Sequence, residues 1–256
     1  MPLTPAARET YSRLFGAEPE PSPTDPELME TLQNHIFGEV FSAGVLTDVE
    51  RELITVTCLA SMQTLPQLRA HVGAALGAGA TPEQLRETLY QCQPYIGYPK
   101  TLNAVAVLNE VLTERGVALP LEPAATVAYE DREEAGAAIQ RPLYGDEVKE
   151  VFAGLPEPFD TQVPHLLTAV GFGEVESRGV LDLSFRELVS LVAIAALGAA
   201  VQLRPHVAGA VRAGNTLQKV AAALVQAMPY IGGPYALSGL VLVAGYEEGA
   251  SAEAYR

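Results

Sequence analysis

Positive charge is scarce in this sequence. Its 256 residues hold 16 lysines and arginines against 31 aspartates and glutamates, a net charge of −15. So few cations cannot neutralise many phosphates, which argues against binding along a nucleic-acid backbone. Cysteine is scarcer still: Cys58 and Cys92 are the only two. They cannot build a disulfide framework or a four-thiolate zinc site. Long apolar runs are missing as well. The longest largely apolar stretch, residues 188–201, is 14 residues long and ends at Gln202, short of the about 20 that span a bilayer. The opening residues, MPLTPAARETYSRLF, lack the apolar core of a signal peptide. Together these absences predict a cytoplasmic protein that engages neither nucleic acid nor membrane. Gly-x-Ser-x-Gly, His-Glu-x-x-His and a Walker lysine are also absent. What remains is 48% hydrophobic and 18% charged, the balance of a folded chain with enough length to bury a sizeable core.

The dominant feature present is an internal repeat. A shift of 135 residues lays positions 44–99 on positions 179–234 without a gap, and 23 of these 56 positions are identical. Gly-Val-Leu recurs at Gly44 and Gly179, and Arg-Glu-Leu at Arg51 and Arg186. QLRAHV from Gln67 matches QLRPHV from Gln202, and PYIGYP from Pro94 matches PYIGGP from Pro229. A period this long indicates two tandem domains rather than a solenoid of small units. The expected organisation is a first helical domain over residues 1–120, a linker over 121–135 and a second domain over 136–256.

Both copies read as helices, and strand alternation with turn dipeptides is rare, so the expected fold class is all-α. Thr47 with Glu50 forms a capping-box pattern, and Asp182 stands at the position equivalent to Thr47. The stretches 51–62 and 186–197 are apolar on most faces, which predicts central helices buried on several sides. Pro66 suits the first turn of a helix running to Ala78, with Gly79 past its end. Thr81-Pro82-Glu83-Gln84 reads as another start. The Pro-Tyr-Ile-Gly segment reads as a turn followed by a helix over 102–112. Further helices are expected over 5–15 and 130–140.

Polar residues retained in both copies are the candidates for chemistry, because apolar core positions have exchanged freely between them. Gln67 and His71 are four residues apart and share one helix face; Gln202 and His206 repeat the spacing. Glu52 and Glu187 lie on the preceding helix, which can fold back against that face. A Glu–His–Gln cluster at a helix seam can move a proton and orient an oxygen. It can equally be a buried histidine satisfied by glutamate that holds two helices together. Arg51, Arg69, Arg186 and Arg204 can bind a carboxylate, or be spent in salt bridges. Tyr95 and Tyr230 cap a pocket or pack a turn. Gly73 to Ala80 is glycine-rich but has no preceding strand, so helix packing accounts for it. One His and one Glu per copy is thin for a metal, and no metal site is expected. Cys58 reads as a small core residue.

The stretches FGEVFSAGVL, RELITVTCLASM, QLRAHVGAALGAGATPEQLRETL and PYIGYPKTLNAV, with their second-copy counterparts, resemble the carboxymuconolactone decarboxylase family, whose fold is shared with the alkylhydroperoxidase D proteins. The resemblance implies all-helical domains that pack in symmetric rings, and for a tandem chain a homotrimer with six domains. It also implies two possible activities. The redox branch carries Glu, a Cys-x-x-Cys and a His. Here Glu52 and His71 keep that spacing, but Thr64 and Gln67 stand at the cysteine positions, and Ala199 and Gln202 do so in the second copy. Without thiols no disulfide can cycle, so a thiol-dependent peroxidase is disfavoured. The decarboxylase branch uses no cofactor and acts on a small unsaturated carboxylated lactone. There Gln67 departs from an expected Glu, and Glu52 from an expected smaller residue. The implied roles are His71 as general acid oriented by Glu52, with Gln67, Tyr95 and Arg69 holding the small-molecule substrate. His206, Glu187, Gln202, Tyr230 and Arg204 take the same roles in the second copy. A tautomerisation or cyclisation in the same pocket, and a binding module without turnover, stay open.

Overall fold

The computed structural model describes residues 2–145 and 147–247; the last part of the expected second domain, 248–256, lies outside them. All regular structure among the described residues is helical. In the first repeat, α1 (Pro5–Phe15) is followed by α2 (Pro26–Gln33), which runs on into a π-helical segment, Asn34–Val40. Then come α3 (Asp48–Met62), α4 (Leu65–Ala78), α5 (Pro82–Ile96) and α6 (Tyr98–Glu114). The second repeat has α7 (Arg132–Tyr144), α8 (Glu147–Phe152) and α9 (Phe159–Leu166), the last continued by a π-helical Leu167–Glu176. It closes with α10 (Leu183–Ala196), α11 (Ala200–Arg212), α12 (Leu217–Ile231) and α13 (Gly233–Ala244).

The helix starts follow from their caps. Thr47 accepts from the Glu50 amide while Glu50 reaches back to the Thr47 amide at 2.8 Å, the reciprocal capping box. Asp182 accepts from the Phe185 amide and starts α10. The Pro-Tyr-Ile-Gly segment corrects the sequence expectation. It is the last turn of α5 rather than a turn of its own, and α6 begins at Tyr98, four residues earlier than expected. Pro94 forfeits one backbone hydrogen bond close to the helix end, where the loss is tolerated. The break comes at Gly97, whose φ of 79° favours glycine. Pro99, at the first turn of α6, suits a helix start. Pro229 and Gly232 repeat the arrangement between α12 and α13.

Every residue of α3 from Arg51 to Ser61 is buried, and so is every residue of α10 from Phe185 to Ala196. These two helices pack on each other at the centre. Helix α5 packs on its own α3 and on α10 of the other repeat, and α12 packs on α10 and on α3. The repeats therefore share one continuous apolar core that includes Leu53, Ile54, Leu89, Leu188, Leu191 and Leu224.

The π-helical segments were not visible in the sequence. They close their ends with i→i−5 hydrogen bonds, Phe41 N to Ile36 O and Ser177 N to Phe172 O, each 3.0 Å. The second segment docks on α7 backbone to backbone. A Cβ on Gly173 would lie 1.9 Å from the Arg132 carbonyl oxygen, and one on Gly136 would lie 2.1 Å from that of Thr168. At the equivalent Gly38 the nearest atom is the Thr4 side-chain oxygen at 3.1 Å. Gly173→Ala is thus expected to destabilise by about 1–3 kcal/mol or more, and Gly38→Ala by clearly less. Chemical denaturation of the two variants checks this; equal midpoints would sink the argument.

Candidate functional site

In the first repeat, Glu52 projects from α3 and His71 from α4, and Glu52 Oε2 lies 2.8 Å from His71 Nδ1. Glu52 is fully buried and its Oε1 has no hydrogen-bond partner. The His71 ring meets Phe15 edge-on at 5.8 Å and Tyr230 at 5.3 Å. In the second repeat a hydroxyl enters the pair. Tyr144, the last residue of α7, donates to Glu187 Oε2, and its oxygen lies 2.8 Å from His206 Nδ1, while Glu187 Oε2 and His206 Nδ1 are 3.6 Å apart. A phenol has one proton, so with it on Glu187 the phenol oxygen accepts from His206 Nδ1–H. In both repeats Nδ1 is engaged, which leaves Nε2 as the nitrogen free for a ligand.

The tyrosines are exchanged relative to the sequence expectation. Tyr95 does not reach His71; its ring meets His206 at 5.5 Å, and Tyr230 meets His71. The cause is the packing of α5 on α10 and of α12 on α3, so each repeat lends its tyrosine to the other's histidine. Burial is the largest influence on all three phenols, and with neighbouring carboxylates it raises Tyr95, Tyr144 and Tyr230 well above the ordinary tyrosine value. They are neutral hydroxyl groups near neutral pH.

A cavity of about 270 Å³ opens beside His206. Its walls include Tyr95, Tyr144, Phe172, Glu176, Ile194, Leu167 and Gln202. Gln202 lies one helical turn before His206 and lines this space with it. Gln67, its counterpart, is exposed one turn before His71.

Arg51, Arg69, Arg186 and Arg204 do not line the cavity beside His206. Arg69 is paired with Glu110 at 3.3 Å and with Glu114 on an outer groove. Two residues before His71, it points to another side of the helix, and burial of a ligand carboxylate there is not provided for. Arg204 is exposed and is not part of the wall beside His206. Arg51 is buried and donates to the carbonyls of Val40 and Ala43 and to Gln226 Oε1. Arg186 mirrors it, donating to the carbonyls of Arg178 and Gly179, to Gln91 Oε1, and to Glu87. Both arginines join the repeats. Among the described residues, no group of three or more His, Cys, Asp or Glu is disposed to hold a metal ion.

Sequence reasoning missed Tyr144 and Glu176. Tyr144 has a traceable counterpart: Leu143-Tyr144-Gly145 ends α7 as Leu14-Phe15-Gly16 ends α1. That match lies at a shift of 129, six residues off the main register, and the ungapped comparison passes over it. Glu176 corresponds to Phe41 in the main register, so a search for retained residues discards it.

The family model described as "Carboxymuconolactone decarboxylase family" matches residues 26–110 and again 161–244. The chain belongs to the carboxymuconolactone decarboxylase family. A 4-carboxymuconolactone decarboxylase from Acinetobacter baylyi (strain ATCC 33305 / BD413 / ADP1) is 32% identical over 82 residues, 32% of this chain and 61% of that protein. An uncharacterized 15.0 kDa protein in the nqo9-nqo10 intergenic region of Paracoccus denitrificans is 34% identical over 80 residues, 30% of this chain and 60% of that one. The chain thus spans about three-fifths of the length of these two relatives. A Burkholderia xenovorans LB400 protein assigned as a gamma-carboxymuconolactone decarboxylase subunit has a crystal structure that superposes with a TM-score of 0.53 at 24% identity. The match covers 93% of this chain and 95% of that one. It establishes a shared fold.

Within the carboxymuconolactone decarboxylase family, this chain keeps its two thiols out of reach. Cys58 and Cys92 are both free and buried. Burial pushes the Cys92 thiol up to about 12 and raises Cys58 further. The thiolate is the reactive form, so neither is poised as a nucleophile. Among the described residues no helix is long and apolar enough to cross a membrane.

Proposed function

We propose that the chain is a carboxymuconolactone decarboxylase-like lyase acting on a small unsaturated lactone or oxo-acid, with a Glu–His pair in each repeat for proton transfer. The observation that carries this reading is His206 on the wall of a small cavity, its Nδ1 engaged by Tyr144 and Glu187. Loss of CO₂ from a carboxylated lactone leaves an electron pair delocalised onto the lactone carbonyl. Apolar walls strip water from the substrate carboxylate, and a donor on the wall such as the Gln202 amide stabilises the forming dienolate. A protonated His206, its charge balanced by buried Glu187, delivers the proton to carbon through Nε2. His71, Glu52 and Gln67 take these roles in the first repeat. The 4-carboxymuconolactone decarboxylase of Acinetobacter baylyi supports this substrate class. The test is to mix the purified protein with 4-carboxymuconolactone, without added cofactor or metal, and follow CO₂ release. Turnover is expected, and its absence at high enzyme concentration would remove this substrate from the reading.

A second reading has its own support. Among the described residues no lysine or arginine lines the His206 cavity, and such a wall suits a neutral substrate. In that reading the same pair catalyses a tautomerisation or cyclisation. It predicts solvent-deuterium incorporation into the ligand without CO₂ release.

A further inference from the structure

We propose that Glu176 is a second, neutral carboxyl group in the cavity of the second repeat, and that its O–H donates a hydrogen bond to a carbonyl oxygen of the bound ligand. The proposal rests on reading the His206 cavity as a ligand site, and it makes the two repeats chemically different sites. Glu176 ends the π-helical segment and lines the cavity with His206, Gln202 and Tyr95. It is only 5% exposed. Its Oε1 accepts from Gln91 Nε2 at 2.5 Å, and its Oε2 is buried with no partner.

The groups around it leave Oε2 without a hydrogen bond: the nearby Ser190 hydroxyl, which acts to lower this carboxyl, donates to the Arg186 carbonyl and accepts from Gln91. Helix α10 contributes Arg186 and Glu187, α5 contributes Tyr95, α7 contributes Tyr144, and α11 contributes His206. The two Nη atoms of Arg186 are bound to Gln91, Glu87 and two backbone carbonyls, and its buried Nε makes no hydrogen bond, to Glu176 or to any other group. The single Tyr144 O–H is already donated to Glu187. An ionised Glu176 would leave a bare anionic oxygen in a mostly apolar space beside a second carboxylate, which is costly. A protonated Glu176 instead presents a donor, and the cavity is where an acceptor can meet it. Burial first, and the neighbouring Glu187 second, hold this carboxyl well above the ordinary glutamate value.

The first repeat has no such donor. Phe41 stands at the equivalent position and covers the Arg51 guanidinium at 5.4 Å, and Phe15 stands where Tyr144 does. The first histidine is therefore flanked by rings where the second is flanked by a phenol and a carboxylic acid.

The experiment is infrared difference spectroscopy of the full chain at pH 7, wild type minus E176Q. A carbonyl band of a protonated carboxylic acid is expected. Adding γ-butyrolactone, a neutral lactone probe, is expected to shift that band to lower frequency. A missing band, or a band that the lactone leaves in place, overturns the proposal. Neither outcome depends on 4-carboxymuconolactone being the substrate, so failure here is distinct from failure of the decarboxylase reading. Stability gives a second measure. A carboxyl raised in the folded state loses stability for the protein as pH climbs from its unfolded value through its folded one. E176Q lacks that loss, so its Tm should exceed wild type by a margin that widens as pH rises above the ordinary glutamate value. A margin that does not widen overturns the neutral state.

Discussion

Replacing His71 and His206 together with alanine is expected to lower turnover of 4-carboxymuconolactone by about 10²–10⁴-fold, the usual worth of a positioned general acid. The two histidines hold equivalent places on α4 and α11, each with Nδ1 held and Nε2 free. The double variant is needed because the proposed roles fall on both repeats. The single variants then apportion the activity. If the phenol and the second carboxyl beside His206 contribute, His206→Ala costs more than His71→Ala. Folding must be checked in parallel, since Glu52 is left buried without its partner, at about 1–3 kcal/mol, while Glu187 keeps the Tyr144 hydroxyl. Circular dichroism and a melting curve separate lost folding from lost chemistry. A folded double variant with full turnover would remove both histidines from the reaction.

Glu87→Ala is expected to destabilise the chain by about 3–5 kcal/mol, the scale for removing one partner of a buried charge cluster. Glu87 is fully buried on α5 and gathers three arginines. Arg86 Nε lies 3.0 Å away, Arg178 donates twice at 2.7 and 3.0 Å, and Arg186 Nη2 lies at 3.4 Å. Two of the three come from the other repeat, so the cluster joins the halves as well as neutralising itself. Its removal leaves the fully buried Arg186 without a countercharge. The first repeat shows that such an arginine can live on carbonyls and an amide alone, because Ala222 stands at the position equivalent to Glu87. Arg186, however, sits in the surroundings that evolved around a carboxylate.

The pH dependence of this cluster has a definite sign. Burial alone would raise Glu87, but Arg178, Arg186 and Arg86 outweigh it and hold the carboxyl below the ordinary 4.5. A depressed carboxyl contributes stability above its unfolded value and loses it as pH falls through the folded one. Acid denaturation of the wild type should therefore carry a component below about pH 4.5 that is missing in Glu87→Ala. Identical acid transitions, or a loss under about 1 kcal/mol at neutral pH, would count against the cluster as a structural keystone. The sign is opposite to that of Glu176: Glu87 loses stability for the protein on acidification, and Glu176 loses it as pH rises.

The sequence alone was sufficient wherever the physics is local. Capping at Thr47 and Asp182, helix starts at Pro66 and Pro82, and the stop at Gly79 depend on neighbouring residues, and the structure places caps and helix ends there. The Glu–His pairing was legible too. It needs only a four-residue face and one helix folding back on the next, and the repeat shows it twice. Register also explains the misses. Tyr144 lies six residues off the main shift, and Glu176 replaces a phenylalanine, so neither is retained between copies.

Tertiary structure alone decided what meets across the repeats. The docking of α5 on α10 and of α12 on α3 carries Tyr95 to His206 and Tyr230 to His71. It also turns Arg51 and Arg186 into clasps on Gln226 and Gln91 rather than substrate ligands. No spacing along the chain encodes these contacts. They follow from how two amphipathic surfaces bury the most apolar area, and that sum is settled only when both repeats are folded together.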